Sequence, residues 1–413
     1  MSLLDTLRAL SPMARRLVLM RFFVYLGIQC AYFIGVVGTL TYALDGGVGD
    51  NALGVALLNL TLIAGSFVGG PLLDRMGPRR YFALVVAALV LAAVAFQPLS
   101  GSACGVFAGA AILGTAIGMA DLVAKSFPAY LTGDLDELKR INSAVYTVSN
   151  VAVIVGPLLG GTLAAALSTS SVFLLLGICA LVSVVPALGF RPVRSAATPD
   201  DAEEASPGLG RGFRTVFSTP ALALLFWSCF LAFFGYGAFD PLESLYYRDV
   251  LNVGVEWMGW LSSAAGVGGV VGSLLAMRLP ARHANMRTLL VILASQGISC
   301  VAYVGTPWVA VACAGQALLG AAFGMLMPLH ATLVQRHAPL SALGRVSSVM
   351  NFGNNVAGVI PLLCAPLLSR VLGVQGTLLA ASVFVFAMPI LIGITRRAEV
   401  SALVAQEEDE TGR

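Results

Sequence analysis

The chain has 413 residues, of which 58% are hydrophobic and only 11% charged, and its mean hydropathy is +0.88. A soluble domain is about 25% charged, so this composition excludes an ordinary water-dissolved domain and fits a protein dissolved in lipid, with length for roughly a dozen spans of about 20 residues. The net charge of +3 is informative only through its distribution, and no nucleic-acid partner is expected.

In chain order, apolar segments long enough to cross a bilayer lie near residues 17–44, 52–73, 81–98, 104–131, 141–167 and 171–190. They resume near 220–248, 255–278, 287–305, 307–335, 345–371 and 375–396. The leader "MSLLDTLRALSPMARRL" delays its apolar run and lacks a convincing cleavage site, so the first span is expected to remain. Between the sixes, "RPVRSAATPDDAEEASPGLGRGFRTVFSTP" is rich in Pro, Gly, Ser and acidic residues and reads as a solvated linker. The expected fold is an all-α integral membrane protein of twelve transmembrane helices in two six-helix bundles. Bundle 1–190 precedes a cytoplasmic linker at 191–219, bundle 220–397 follows, and the acidic end 398–413 is expected to be a disordered cytoplasmic tail. Basic residues collect on one side of this plan, among them Arg15, Arg16, Arg75, Arg79, Arg80, Lys139, Arg140, Arg287, Arg336 and Arg396, while only Arg248 and Arg370 fall opposite. That asymmetry places both termini in the cytoplasm, in an inner cell membrane.

The halves echo one another. "KRINSAVYTVSNVA" lies over "GRVSSVMNFGNNVA", bringing Arg140 onto Arg345, Ser143 onto Ser348 and Asn150 onto Asn355. Parallel repeats of six spans are a transporter plan, with the substrate site between the halves near mid-membrane. Gly65 and Gly69, then Gly268 and Gly272, form small-xxx-small faces for close helix approach. Gly156 and Pro157 interrupt the hydrogen bonding of the fifth helix and bend it, as hinge, seam or plain packing. The seven cysteines stand singly and read as small core residues.

The rare charges raise the functional question. Asp121 and Lys125 lie four apart in "GMADLVAKSF", and a charge at the bilayer centre costs on the order of 3 kcal/mol. Residues four apart share a helix face and can offset each other. Lys125 either snorkels toward the cytoplasm beside Asp121, or both face a water-filled cavity. Under the repeat Lys125 aligns with His330, and Arg21 in the first helix is a third neighbour. In "YGAFDPLESLYY" of the seventh helix, Asp240 and Glu243 flank Pro241, which implies a broken or bent helix. An acid there can take up a proton, bind a cation or simply mark a wet helix end. His330, an imidazole that titrates near neutral pH when unperturbed, is a rival proton carrier. The proton-coupling candidates are therefore Asp121, Asp240, Glu243 and His330. The candidate cavity wall adds Tyr25, Gln29 and Tyr32 on the first helix, and Tyr146, Ser149 and Asn150 on the fifth. Met325 on the tenth and Asn351, Asn354 and Asn355 on the eleventh complete it. Aromatic, Met and Asn side chains suit an amphipathic ligand better than a sugar or phosphate.

The loop after the second span, "GGPLLDRMGPRRYF", resembles the signature loop of the major facilitator superfamily, with Gly70, Asp74, Arg75, Gly77, Arg79 and Arg80 at its motif positions. "KRINSAVYTVSNVAVIVGPLLGG" resembles the fifth helix of exporters in that superfamily, with Ser143 and Ala152 in place of its earlier glycines. "LHATLVQRHAPLSALGRVSSV" looks like the branch of macrolide-efflux and enterobactin exporters. The resemblance implies the twelve-helix fold, export, and a conformational latch in which Asp74 meets the start of the eleventh helix near Arg345. A carboxylate there accepts from helix N-terminal N–H groups. Many drug/proton antiporters carry a membrane arginine early in the fourth helix; here Ala110 stands near that place.

The only lysines are Lys125 and Lys139, neither after a Gly, so no GK[ST] phosphate loop exists. No nucleophile–base set or metal cluster stands out, and neither an enzyme nor a cofactor is expected. The leading expectation is a monomeric secondary exporter of an amphipathic small molecule (a drug, macrolide or siderophore-like compound), an antiporter working by alternating access in exchange for protons. Two alternatives stand beside it: a proton-coupled importer of a small metabolite or cation, and a non-transporting membrane receptor or scaffold.

Overall fold

The computed structural model describes residues 10–132, 135–191, 209–280, 283–338 and 343–411, and among these it is helical with no strand. In the first half α1 is Pro12–Ala43, α2 Val48–Leu73, α3 Arg75–Leu99, α4 Ala103–Ser126, α5 Leu135–Ala166 and α6 Thr169–Leu188. In the second, α7 is Pro220–Val250, α8 Glu256–Met277, α9 Met286–Val304 and α10 Val309–His337. The final apolar run breaks at Gly373, giving α11 over 343–372 and α12 over 374–395. Among the described residues eleven helices are long and apolar enough to span, and dividing the last, Phe352–Thr395, at Gly373 gives twelve.

Short polar residues start several of these helices. Ser11, with Pro12 next to it, accepts at Oγ from the Ala14 N–H, and Ser102 does the same for Gly105. Asn285 Oδ1 accepts from the Thr288 N–H at 3.0 Å, opening α9. Each cap satisfies an N–H that the first turn leaves without an intrahelical partner. Helix runs are cut where the backbone must turn over: Gly77 and Gly373 both hold φ of 71°. Nothing lies within 4 Å of a Cβ built on either. These glycines are needed for backbone conformation, not for space.

α7 is interrupted at Gly237–Ala238, four residues ahead of Pro241. Proline has no N–H for the carbonyl four residues back and its ring crowds that carbonyl, so the break falls where Pro241 dictates. A side chain on Gly237 would collide with the backbone of Gly358, where α11 is itself interrupted. The two interruptions pack against each other.

The repeat reappears as geometry. α1 ends in wide helical turns over Ala31–Val37 and Thr39–Ala43, and α7 in one over Tyr246–Val250. The Leu44 N–H donates to the Thr39 carbonyl and the Leu251 N–H to the Tyr246 carbonyl, both at 3.0 Å and both spanning five residues. The next residues, Asp45 and Asn252, are the two non-glycine residues with positive φ among those described, at 52° and 54°. Asp and Asn are the side chains that tolerate this region best.

Among the described residues the chain forms two compact units, one from those up to 198 together with Asn252–Ser263, the other from the remainder. The first eight residues of α8 thus pack in the first unit, where Ser263 Oγ donates to the Ile154 carbonyl at 2.9 Å. Within the first unit α2 and α4 meet through small residues. A Cβ on Gly65 would collide with the Thr115 carbonyl, and one on Gly118 with the Leu62 carbonyl. The second unit repeats this between α8 and α10: side chains on Gly268 and Gly272 would collide with the carbonyls of Ala317 and Ala321. In lipid, where burial of apolar surface drives little, such close approach supplies the packing.

Two expectations need correction. The chain's end is not disordered over 398–411: Arg397–Thr411 is a helix. Its Val400, Leu403 and Val404 are buried in the second unit's core, and Glu407 is 1% exposed. Nor is all of 191–219 a solvated linker, since Leu209–Ser218 is helical, Val216 is fully buried and Phe213 meets Phe352 ring to edge at 5.8 Å.

Candidate functional site

Among the described residues, each unit holds a carboxylate-centred polar constellation inside its spanning helices. In the first, Arg21 of α1 is buried and meets two other helices. Its Nη1 lies 3.3 Å from Asp121 Oδ1 on α4, and its Nε donates to Ser149 Oγ on α5 at 3.1 Å. Ser149 in turn donates to the Val145 carbonyl at 2.9 Å. The guanidinium carbon stands 3.9 Å from the centre of the Tyr25 ring, a cation–π contact. The Arg21 side chain is 8% exposed and that of Asp121 28%, so the carboxylate is the accessible member of the pair.

This changes the reading of Asp121. The sequence put Lys125 beside it on its own helix with Arg21 as a third neighbour; the structure brings Arg21, 100 residues away, into contact with it. The side chains of Lys125, Asp74, Asn351 and Asn355 lie outside the described residues. The α2–α4 seam fixes where Asp121 sits, helped by Ser66 Oγ donating to the Gly118 carbonyl at 3.2 Å and the Tyr81 hydroxyl to Met119 at 2.9 Å.

In the second unit, Glu243 of α7 gathers three neutral donors on a single oxygen. Its Oε1 accepts from the hydroxyls of Tyr303 on α9 at 2.6 Å and Tyr247 at 2.9 Å, and from Gln316 Nε2 on α10 at 2.7 Å. The two phenol oxygens lie 2.6 Å apart. Tyr247 and Tyr303 are fully buried and Gln316 nearly so. The Tyr246 hydroxyl lies within bonding distance of the carbonyls of Tyr303 and Thr306, tying α7 to the end of α9. No cation meets Glu243 among the described residues. Asp240, one turn earlier, is exposed.

The remaining candidates scatter. His330 is 7% exposed and its Nε2 has no hydrogen-bond partner. Tyr146 and Asn150 are exposed on α5, while Gln29, Tyr32, Met325 and Asn354 are half-buried. Gly156 sits against α1, where its added Cβ would come 2.7 Å from Gln29 Cβ, and Cys30 Sγ donates to its carbonyl at 3.0 Å. α5 stays continuous through Pro157. In the loop motif, Arg75 and Arg80 are exposed, Gly70 has open space around it, and Arg79 donates to the Phe190 carbonyl at 2.6 Å, fastening the start of α3 to the end of α6.

Sequence reasoning missed the donors around Glu243. Tyr247 stood in the quoted "YGAFDPLESLYY", one turn beyond Glu243. Gln316 was the lone amide in the apolar run "VAVACAGQALLG", a polar residue in lipid that asks for a partner.

Residues 17–362 and 245–411 match the family model described as Major Facilitator Superfamily. The chain is 29% identical to a protein of Mycolicibacterium fortuitum named multidrug efflux pump Tap, over 82% of this chain and 84% of that protein. The Tap protein of Mycobacterium bovis (strain BCG / Pasteur 1173P2) is 27% identical over 81% of this chain and 82% of its own. Among solved structures, a point mutant of the nucleoside transporter NupG shares the fold with a TM-score of 0.71 at 11% identity, covering 92% of this chain and 98% of that one. A bacterial homologue of the iron transporter ferroportin, in an inward-facing state, gives 0.65 at 17% identity, with 92% of this chain and 98% of its own covered.

Proposed function

Because the chain belongs to the major facilitator superfamily, and is thus a multi-pass membrane transporter and no enzyme, we propose that it exports amphipathic small molecules by alternating access, in exchange for protons. The observation that carries export is likeness to a multidrug efflux pump along four-fifths of the chain. With both termini in the cytoplasm, span order puts Arg21 and Asp121 in the inner part of the membrane and Glu243 in the outer part.

The chemistry follows from the partners. A proton on Asp121 cancels its charge and leaves Arg21 held by Ser149 and the Tyr25 ring alone. That loosens the tie between α1 and α4 and shifts the balance of conformations. A proton on Glu243 removes a charge that neutral donors delocalise but do not cancel. Asp240 and His330 remain subsidiary carriers. The half-buried Tyr25, Gln29, Tyr32 and Met325, with exposed Tyr146 and Asn150, supply the amphipathic wall; Asn351, Asn354, Asn355 and Lys125 belong to the same proposal. Asp74 and the glycines and arginines of its loop serve as the latch, and Gly156–Pro157 as a packed bend.

The test is flux of a radiolabelled macrolide into inverted proteoliposomes with an acid lumen. Accumulation that nigericin abolishes is expected. Uptake unaffected by collapse of the pH gradient, or accumulation only in the opposite orientation, rejects proton-coupled export.

A further inference from the structure

A groove of about 450 Å³ opens where the start of α9, the end of α12 and the tail helix Arg397–Thr411 come together. Its lining has a polar end and an apolar run. Arg287 leads into Leu290, Val291 and Ala294 on one face of α9; Ile390, Gly393 and Ile394 share one face of α12, and Arg397 opens the tail helix just beyond them. Val291 and Ile394 are 63% and 68% exposed, as lipid-facing side chains are. Twelve spans put the start of α9 and the end of α12 on the same side of the bilayer, at headgroup level.

Both arginines are exposed, and neither makes an ion pair or hydrogen bond among the described residues. Their neighbours differ: Arg396 pairs with Glu399 at 2.7 Å, and Arg336 donates to the Glu407 carbonyl. The third wall is held in place from below. Glu407 accepts from the Met286 N–H, the first of α9, at 3.0 Å, and its other oxygen lies 2.8 Å from His337 Nε2 at the end of α10. A carboxylate at a helix N-terminus is favoured by the dipole, so the tail helix is docked and the groove has a built wall.

We propose that this groove binds an anionic phospholipid, its phosphate between Arg287 and Arg397 and an acyl chain along Val291, Ile390 and Ile394. Two unpaired guanidiniums at the mouth of an apolar trough complement a negative headgroup on a hydrocarbon chain and nothing zwitterionic as well. The site is independent of what the transporter carries.

Native mass spectrometry of the full-length protein, titrated with phosphatidylglycerol or phosphatidylcholine, tests this. Phosphatidylglycerol is expected to bind more tightly. Arg287→Gln and Arg397→Gln should each weaken it about fivefold, and together about 25-fold. Gly393→Leu should also weaken it with both arginines intact, because a Cβ there meets nothing closer than Leu290 Cδ1 at 3.8 Å and the longer side chain fills the trough. Arg370→Gln, at another exposed arginine, should change nothing. Equal retention of the two lipids, or unchanged affinity in the double arginine variant, overturns the site. Competition by inorganic phosphate as strong as by lipid overturns the acyl-chain contact, and displacement by the macrolide reassigns the groove to substrate.

Discussion

Asp121 and Glu243 are both carboxylates inside spanning helices, yet one is met by a guanidinium and the other by two phenols and an amide. The guanidinium cancels charge. The neutral donors share charge without cancelling it, so an ionised Glu243 keeps its net charge until a proton or cation arrives. A buried ion pair contributes little net stability, but removing one member leaves the other exposed to the full desolvation penalty. A hydrogen bond to a neutral group is worth about 1 kcal/mol net and one to a charged group about 1.5–3 kcal/mol. The first site is thus sensitive to which partner is lost, the second to the state of its acid.

The largest effect is expected from breaking the first site. Asp121→Asn should cut gradient-driven flux about tenfold or more, a change equivalent to roughly 1.4 kcal/mol, while the protein still folds, because Asn can still accept from Arg21, whose guanidinium keeps Ser149 and the Tyr25 ring. Arg21→Met should cost more in stability than in coupling, since it strands Asp121 and removes the contacts to Ser149 and Tyr25. The Arg21→Met/Asp121→Asn pair, measured by thermal unfolding in detergent, should be less destabilised than the sum of the singles by about 0.5–3 kcal/mol. Additive losses would mean that the pair is not an energetic unit, and the contrast with Glu243 would fall.

Much of this was legible in the chain itself. Twelve apolar runs and the Gly65, Gly268 and Gly272 seams follow from strong local signals, span length and small-residue spacing; Gly77 entered through the resemblance of its loop. Asp121 and Glu243 stood out because charge is rare in lipid. Their partners did not. Spacing along one helix put Lys125 beside Asp121 and left Arg21 only a third neighbour, whereas the packing of α1 on α4 and α5 brings its guanidinium to the carboxylate. Tyr303 is neutral and lies at a helix end, where tyrosine is common for reasons of interface chemistry. The tail misled by composition, since its acidic residues suggested disorder. Val400, Leu403, Val404 and Glu407 nonetheless recur at helical spacing, and they are the buried face.

Glu243 sharpens the comparison by a second, smaller effect. Glu243→Gln keeps an acceptor for Tyr247, Tyr303 and Gln316, so folding should hold while the pH dependence of flux flattens. Tyr303→Phe removes one donor. Its cost in thermal stability should be about 1.5–3 kcal/mol if the acid is charged in the resting protein, and near 1 kcal/mol in the Glu243→Gln background. The same cost in both backgrounds would show that Glu243 is already neutral at rest, and proton uptake would then fall chiefly to Asp121.

The smallest effect compares the two glycines that turn the chain over. Gly77 and Gly373 share φ of 71°, with ψ of 164° and 173°, and neither is crowded. An alanine at either should therefore cost the same backbone strain, about 1–3 kcal/mol, read as matched falls in melting temperature. Their functions differ if the loop after α2 is a latch. Gly77→Ala should then alter flux several-fold, roughly what 1 kcal/mol moves a two-state balance, whereas Gly373→Ala should lower stability and leave the flux of the folded fraction unchanged. Equal flux changes in both variants would reduce Gly77 to a turn residue, and the arginines beside it to fasteners of the kind that Arg79 already provides at Phe190.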